Sequence, residues 1–226
     1  MKYAISTNQV KNSSGNVRGF ASIVFGDAFK ITNIAILENT EKGQYFVSMP
    51  RYKSNERDEN NAVVYKDVCN PITKEFREEL YGQILDAYDQ AKEHGAGQKS
   101  EEPVEMPEFS VSVTPFEREG SNIRGLARVF FEDSFVINNV TILQGKDKLF
   151  VAMPSYKTKQ NDEKGKPVYQ DVCYPVTKEF REKLYTEIIA AYEREKEKQK
   201  EQSQSRAEEK AKDGFVKAPE RETPFR

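Results

Sequence analysis

The chain contains one stretch of sequence twice, and this duplication limits the folds that it can adopt. Residues 46–88 read FVSMPRYKSNERDENNAVVYKDVCNPITKEFREELYGQILDAY, and residues 150–192 read FVAMPSYKTKQNDEKGKPVYQDVCYPVTKEFREKLYTEIIAAY. The segments 17–37 and 123–143 form a second matching pair. Each repeated unit is about 85–90 residues long, well above the 20–50-residue periods of solenoids and propellers. The sequence therefore predicts two similar, complete domains.

Composition divides the chain into these two domains and two charged segments. We expect a first domain at residues 1–90, a linker at 91–108, a second domain at 109–194 and a tail at 195–226. The linker combines Gly, Ser, Pro and Glu without an apolar period, which favours a flexible tether, and it contains the only histidine, His94. In the tail, alternating Glu and Lys favour a helical extension of a few turns followed by disorder.

Charge and apolar content restrict the partners. The net charge of −2 gives no broad basic field, so any contact with nucleic acid requires a local basic patch. No apolar run reaches the roughly 20 residues that cross a bilayer, and the N-terminus lacks a signal-peptide pattern, so we expect a cytoplasmic protein without a membrane partner. Cys69 and Cys173 occupy matching apolar positions, where we expect buried, reduced thiols rather than a disulfide.

The strand signals in each copy follow one order. Alternating residues predict an opening strand at 3–10 and at 109–116. Two apolar runs then flank Gly26–Asp27 in the first copy and Glu132–Asp133 in the second, as in a hairpin. A further strand ends at a Met-Pro pair, and a polar loop of about 15 residues and a short strand follow it.

One helix closes each copy. Thr73 and Thr177 are good N-cap residues. Apolar and aromatic residues then recur every four positions, which indicates one buried face: Phe76, Leu80, Ile84 and Tyr88, and Phe180, Leu184, Ile188 and Tyr192. Several strands followed by one helix predict an α+β fold, in which two similar domains each have an antiparallel sheet and a C-terminal helix.

These residues carry a resemblance to a known family. The string FVAMPS at 150–155, the F-x-D-x-F hairpin at 131–135, the D-x-x-x-P segment before a Thr-capped helix and the terminal A-Y-E-R resemble the stage V sporulation protein G (septation protein) family. The resemblance covers nearly all of both copies. It implies a small bacterial cytoplasmic protein that dimerises through sheet edges and regulates genes by binding DNA or RNA.

The sequence also departs from the pattern of that family. Members usually have two basic residues after the M-P-S string, whereas this chain has Tyr52–Lys53 and Tyr156–Lys157. Gln170 stands where an arginine is common, and members are usually single domains.

The polar loops contain the candidate binding residues. A groove for nucleic acid needs Lys or Arg for phosphates and aromatic rings for bases. The second loop supplies Tyr156, Lys157, Lys159, Lys164 and Lys166. The first loop supplies Arg51, Tyr52 and Lys53, but Glu56, Asp58 and Glu59 nearly cancel their charge. The alternative is that these lysines form an ordinary solvated surface. If one half binds a polyanion more strongly, we expect it to be the second.

Enzymatic and cofactor functions find little support. The chain has no phosphate-binding or nucleophile motif and no second histidine for a base or a metal site, so we expect no catalytic residues, metal or cofactor. Asp67 with Cys69, and Asp171 with Cys173, could pair a carboxylate with a thiol, but no nearby cation would lower the thiol pKa.

Two functions therefore remain open. The first is a non-enzymatic bacterial regulator that binds DNA or RNA through the two loops. The second is a protein-interaction scaffold without nucleic-acid contact. In either case we expect the two copies to form an intramolecular pseudo-dimer, since a flexible 18-residue tether reaches about 23 Å. Pairing between chains into a homo-oligomer is the competing possibility.

Overall fold

The structure is a computed structural model that describes residues 1–10, 15–94, 106–117 and 119–213. Most of the predicted linker, and residues 214–226 of the predicted tail, lie outside the described residues.

Within this range both copies show the same order of seven strands and one helix. The elements of the first copy are β1 (Tyr3–Gln9), β2 (Val17–Phe25), β3 (Phe29–Asn39), β4 (Gln44–Ser48), β5 (Arg51–Arg57), β6 (Val63–Asp67), β7 (Cys69–Pro71) and α1 (Lys74–His94). Those of the second are β8 (Phe109–Pro115), β9 (Ile123–Phe131), β10 (Phe135–Gln144), β11 (Leu149–Ala152), β12 (Ser155–Asn161), β13 (Pro167–Asp171), β14 (Cys173–Pro175) and α2 (Lys178–Asp213). The predicted α+β class is confirmed.

An antiparallel meander forms the body of each sheet. β1, β2 and β3 pair in sequence, and β8, β9 and β10 repeat this arrangement. β4 and β11 pair with the C-terminal halves of β3 and β10. Burial alternates along β2, where Ala21, Ile23 and Phe25 are buried and Phe20 is exposed. Each sheet therefore has one face in the core and one open face.

Tight turns join the central strands at the predicted positions. Gly26 and Asp27 have φ angles of 53° and 48°, and Glu132 and Asp133 have 44° and 49°. Two successive residues with positive φ are typical of a type I′ turn, whose twist matches that of antiparallel strands. The hairpin prediction is confirmed, and at Glu132 the second copy adopts a conformation for which the first uses glycine.

The last short strand of each copy pairs with the sheet of the other copy. β7 pairs with β10 through Cys69 and Ile137, and β14 pairs with β3 through Cys173 and Ile31. Both pairings are antiparallel. Each five-stranded sheet therefore contains four strands of one copy and one of the other.

Phenylalanine rings from both copies meet in one continuous core. The ring centroids of Phe25 and Phe135 are 5.2 Å apart, and those of Phe29 and Phe131 are 5.1 Å apart. The ring of Phe29 also lies 6.3 Å from that of Phe180, on the helix of the second copy. Aromatic rings at these separations attract each other in addition to the gain from burial, so this cluster stabilises the contact between the copies.

Both helices begin at the predicted caps. The Oγ1 of Thr73 accepts a hydrogen bond from the Phe76 N–H at 3.3 Å, and that of Thr177 accepts one from the Phe180 N–H at 3.2 Å. The predicted apolar stripe is buried in both helices. At the end of this stripe, the ring of Tyr88 lies so close to Gly19 of β2 that a Cβ at this position would clash with it. The second copy also has a glycine at the equivalent position, Gly125.

The helices extend further than the sequence indicated. α1 ends at His94, so the first four residues of the predicted linker are helical. α2 continues to Asp213, well past the few turns predicted beyond residue 194. Lysine–glutamate pairs such as Lys198–Glu195 at 2.7 Å support this polar section. Among the described residues, no helix has the length and apolar character needed to cross a membrane.

Candidate nucleic-acid interface

The polar segments after Pro50 and Pro154 form two-stranded ribbons. β5 pairs with β6 in the first ribbon, and β12 pairs with β13 in the second ribbon. The Val68 N–H donates to the Pro50 carbonyl at 2.8 Å, and the Val172 N–H donates to the Pro154 carbonyl at 2.8 Å, which closes the base of each ribbon. The predicted short strands are present as β6 and β13, but the prediction of a loop was wrong for β5 and β12. Most residues of β5 and β12 are exposed, so the apolar alternation that identifies a half-buried strand is absent.

One aspartate shapes the tip of each ribbon. The Oδ1 of Asp58 accepts hydrogen bonds from the backbone N–H groups two and four residues later, at 2.9 and 2.8 Å. Asp162 accepts the equivalent bonds at the same two distances. Such side-chain bonds to the backbone stabilise turns. Both aspartates have the same structural role, so the charge difference between the ribbons arises from other residues.

The first ribbon pairs cations with acids. The Nε of Arg51 lies 3.7 Å from Oδ1 of Asp67, and its Nη2 donates to Ser48 at 2.7 Å. The Lys66 ammonium donates to the Glu56 carboxylate, and this hydrogen bond raises the pKa of Lys66 above its ordinary value. A phosphate that approached these cations would have to compete with carboxylates already in place.

Within the described ranges, the lysines of the second ribbon are not paired with acids in this way. Two of its predicted cations, Lys157 and Lys159, lie on β12, and the other two, Lys164 and Lys166, lie in the turn between β12 and β13. Of the ion pairs formed by the described residues, none involves these four lysines. The acid that holds a lysine in the first ribbon, Glu56, is replaced by Gln160. The four lysines therefore lie on one ribbon and its turn, and their role in binding stays a prediction.

The tyrosines of the second ribbon lie on two different faces. Tyr156 is paired across the ribbon with Gln170, donates its hydroxyl to the Gln170 Oε1 at 2.7 Å and is 37% exposed. Tyr169 is paired with Lys157 on the other face and is 63% exposed. Residues directly opposite each other share a face, and neighbours along a strand point to opposite faces. Tyr169 is therefore the more accessible ring, and it stands beside a lysine.

The first ribbon repeats this arrangement. Tyr52 is paired with Lys66 and is half-buried, whereas Tyr65 is paired with Lys53 and is 59% exposed. The sequence reasoning named Tyr52 and Tyr156 and missed Tyr65 and Tyr169. Only the strand register shows that the missed tyrosines lie beside the lysines.

The two cysteines lie in the core, away from these surfaces. Cys69 and Cys173 are free thiols without exposed surface. Burial raises the pKa of both thiols, and because the thiolate is the reactive form, such groups are poor nucleophiles. In the described part of the chain, no three His, Cys, Asp or Glu residues are grouped so that they could hold a metal ion.

Comparison with known proteins agrees with the repeated domain. The model of the SpoVG family matches residues 2–90 and again residues 106–194. A septation protein SpoVG of Treponema denticola is 32% identical over 75 residues, which are 33% of this chain and 74% of the relative. One from Clostridium beijerinckii is 35% identical over 72 residues, 32% of this chain and 72% of the relative. One from Phytoplasma australiense is 36% identical over 73 residues, which are 32% of this chain and 70% of the relative.

Two copies of an antiparallel sheet with one closing helix, each with a ribbon after a Met-Pro pair, define the class of protein. The chain belongs to the SpoVG family and contains two tandem copies of its domain. The name of the relatives refers to septation and specifies no reaction.

Proposed function

We propose that this protein is a bacterial cytoplasmic regulator of the septation and sporulation type that binds DNA or RNA and catalyses no reaction. The second ribbon makes the main contact. The observation that carries the proposal is the contrast in ion pairing: among the described residues none of the four lysines of the second ribbon forms an ion pair, whereas Arg51 and Lys66 of the first ribbon do.

Phosphate contacts explain how the difference in ion pairing between the ribbons affects affinity for nucleic acid. A lysine that neutralises a phosphate releases a condensed counterion, so affinity falls steeply as salt rises. A lysine already bound to a carboxylate releases fewer ions, because its charge is compensated before the nucleic acid arrives. Because Arg51 is already paired with Asp67, we assign a secondary contact to the first ribbon, through Arg51, Tyr52 and Lys53.

The test replaces all four lysines of the second ribbon, Lys157, Lys159, Lys164 and Lys166, with glutamate. Fluorescence anisotropy with labelled DNA and RNA over a range of salt concentrations should show loss of binding. The matched control replaces the four cations of the first ribbon with glutamate: Arg51, Lys53, Arg57 and Lys66. We expect a smaller loss for the control. Unchanged affinity in the second-ribbon variant, with its fold intact by circular dichroism, would contradict the proposal.

The ribbon tyrosines provide a second test of the same surface. A Tyr156→Ala change should weaken binding of single strands more than binding of duplexes, because only unpaired bases can stack on a side chain. Tyr169→Ala should have the larger effect, since Tyr169 is more exposed and lies beside Lys157. Equal losses for single strands and duplexes would show that these rings do not stack on bases.

A protein-interaction scaffold is the second candidate function. It is favoured by the long polar section of α2, which presents a charged and exposed surface beyond the sheet. A scaffold would bind neither DNA nor RNA at any salt concentration. Absence of binding to random pools of both nucleic acids would select this function.

We also propose that the chain is monomeric, with its two copies joined as a pseudo-dimer. The reciprocal pairing of β7 with β10 and of β14 with β3 supports this proposal, because it uses both short strands within one chain. Light scattering should give a concentration-independent mass near 26.0 kDa. A stable mass near twice that value would indicate pairing between chains.

A further inference from the structure

Within the part of the chain that the structure describes, each sheet has exposed side chains on the face opposite its helix. In the second copy we define the second open face by the outward residues of β9, β10 and β11: Arg124, Leu126, Arg128, Phe130, Leu143 and Phe150. Leu126 and Phe150 are exposed, as are the equivalent Phe20 and Phe46 of the first copy. The two open faces therefore share apolar groups at matching positions.

The two open faces differ in charge. In the first copy Arg18 is held by Glu38, with 2.6 Å between Nε and Oε2. The second copy has Gln144 where Glu38 stands, so Arg124 lacks this acid. It also has Arg128 where the first copy has Ser22. The outward positions of β8 to β11 contain these two arginines and no aspartate or glutamate.

One of the two arginines lies over an aromatic ring of the second open face. The guanidinium carbon of Arg128 is 5.3 Å from the centre of the Phe130 ring. Arg124 lies on β9, where its Nη1 donates to the carbonyls of Ser121 and Ile123, and β10 separates it from Phe150 on β11. Six residues separate Arg124 from Phe130, which is about 20 Å along a strand. An extended polyanion that crosses the face could therefore meet both arginines and the rings of Phe130 and Phe150.

We propose that the second open face binds unpaired bases of a single-stranded nucleic acid. Phe150 and Phe130 provide rings on which bases stack, and Arg124 and Arg128 contact phosphates. An open antiparallel sheet with exposed aromatic rings suits single strands, because the bases of a duplex are already stacked on each other. This inference rests on the proposed function and adds a second contact surface to the ribbon.

The experiment measures binding of a short labelled oligouridylate and of a labelled RNA duplex by fluorescence anisotropy. Phe150→Ala should weaken oligouridylate binding roughly 5- to 100-fold and leave duplex binding nearly unchanged. Arg128→Ser, which installs the residue of the first copy, should also weaken oligouridylate binding. The matched control is Phe46→Ala, because Phe46 and Phe150 are 42% and 43% exposed at equivalent positions. We expect little effect from the control.

The outcomes separate this inference from the ribbon proposal. If the second-ribbon variant loses oligouridylate while Phe150→Ala and Arg128→Ser bind like the unmodified protein, the open face has no such role and the ribbon proposal stands. If the unmodified protein binds neither probe, both proposals fail. Equal losses for Phe46→Ala and Phe150→Ala would overturn the assignment to the second copy. A changed mass in light scattering with unchanged binding would instead identify a self-association surface.

Discussion

The first and second ribbons have the same backbone plan and different charges. Both emerge after a Met-Pro pair, and both turn at an aspartate that binds the backbone two and four residues later. The first ribbon then compensates Arg51 and Lys66 with carboxylates, whereas the second replaces Glu56 with glutamine. The same hairpin geometry therefore permits two different electrostatic surfaces.

In the core that the two copies share, phenylalanines occupy matching positions. Phe25 and Phe29 have phenylalanine counterparts, Phe131 and Phe135, and each ring packs against the other copy. A change of volume at any of these positions would affect both halves, because a close-packed interior leaves little room for adjustment. Exposed ribbon residues have no such partners. The exposed ribbons of the two copies therefore differ in charge, whereas the shared core has phenylalanine at matching positions in both copies.

The largest expected effect concerns the core that the two copies share. Phe29→Ala and Phe135→Ala should each lower the free energy of unfolding by about 3–5 kcal/mol, through lost burial and a cavity. Because one core spans both copies, urea denaturation followed by circular dichroism should show a single transition in each variant. The control Phe20→Ala removes an exposed ring and should cost about 0.5 kcal/mol or less. Two separate transitions would contradict a shared core.

A smaller effect concerns the buried thiols, one from each copy. Burial raises the pKa of Cys69 and Cys173 in the folded state. Their contribution to the free energy of unfolding is therefore fully present below the unfolded pKa of about 8.5, and it is lost as pH rises toward the folded pKa. The loss is about 1.4 kcal/mol per pH unit and thiol, or about 2–3 kcal/mol for both at pH 9.5.

Urea unfolding under reducing conditions, from neutral to alkaline pH, measures this dependence. Replacing both cysteines with alanine should flatten it, and each single replacement should remove about half of it. The matched comparison is between the two single variants, which should be alike. Equal pH dependence in the unmodified protein and the double variant would contradict the role of the thiols.

The smallest expected effect sharpens the comparison of the ribbons. Four changes give the first ribbon the lysines of the second and remove Glu56, while Arg51, Arg57 and Lys66 stay in place: Asn55→Lys, Glu56→Gln, Asn60→Lys and Ala62→Lys. Affinity for nucleic acid should rise, and the salt slope should steepen by about one for each new phosphate contact. The Glu56→Gln change alone is the control, since it frees Lys66 without adding a cation. An unchanged salt slope in the fourfold variant would show that ribbon charge does not control binding.

The candidate site was only partly predictable from sequence. The lysines of the second copy were found because charge can be counted along the chain. Tyr65 and Tyr169 were missed because their position beside Lys53 and Lys157 depends on cross-strand register. The open faces were missed for a related reason, since exposed Phe46 and Phe150 have the same apolar character as core residues.

For the fold, the sequence by itself determined the features that depend on neighbours along the chain. The duplication, the Thr73 and Thr177 caps, the hairpin turns and the buried helix stripe all follow from local periodicity and turn chemistry. Only the tertiary structure decided that β7 and β14 cross to the opposite sheets. Each of these strands has three residues, too few for a periodic signal, and its partner lies in the other copy, so long-range packing of the shared core selects the pairing.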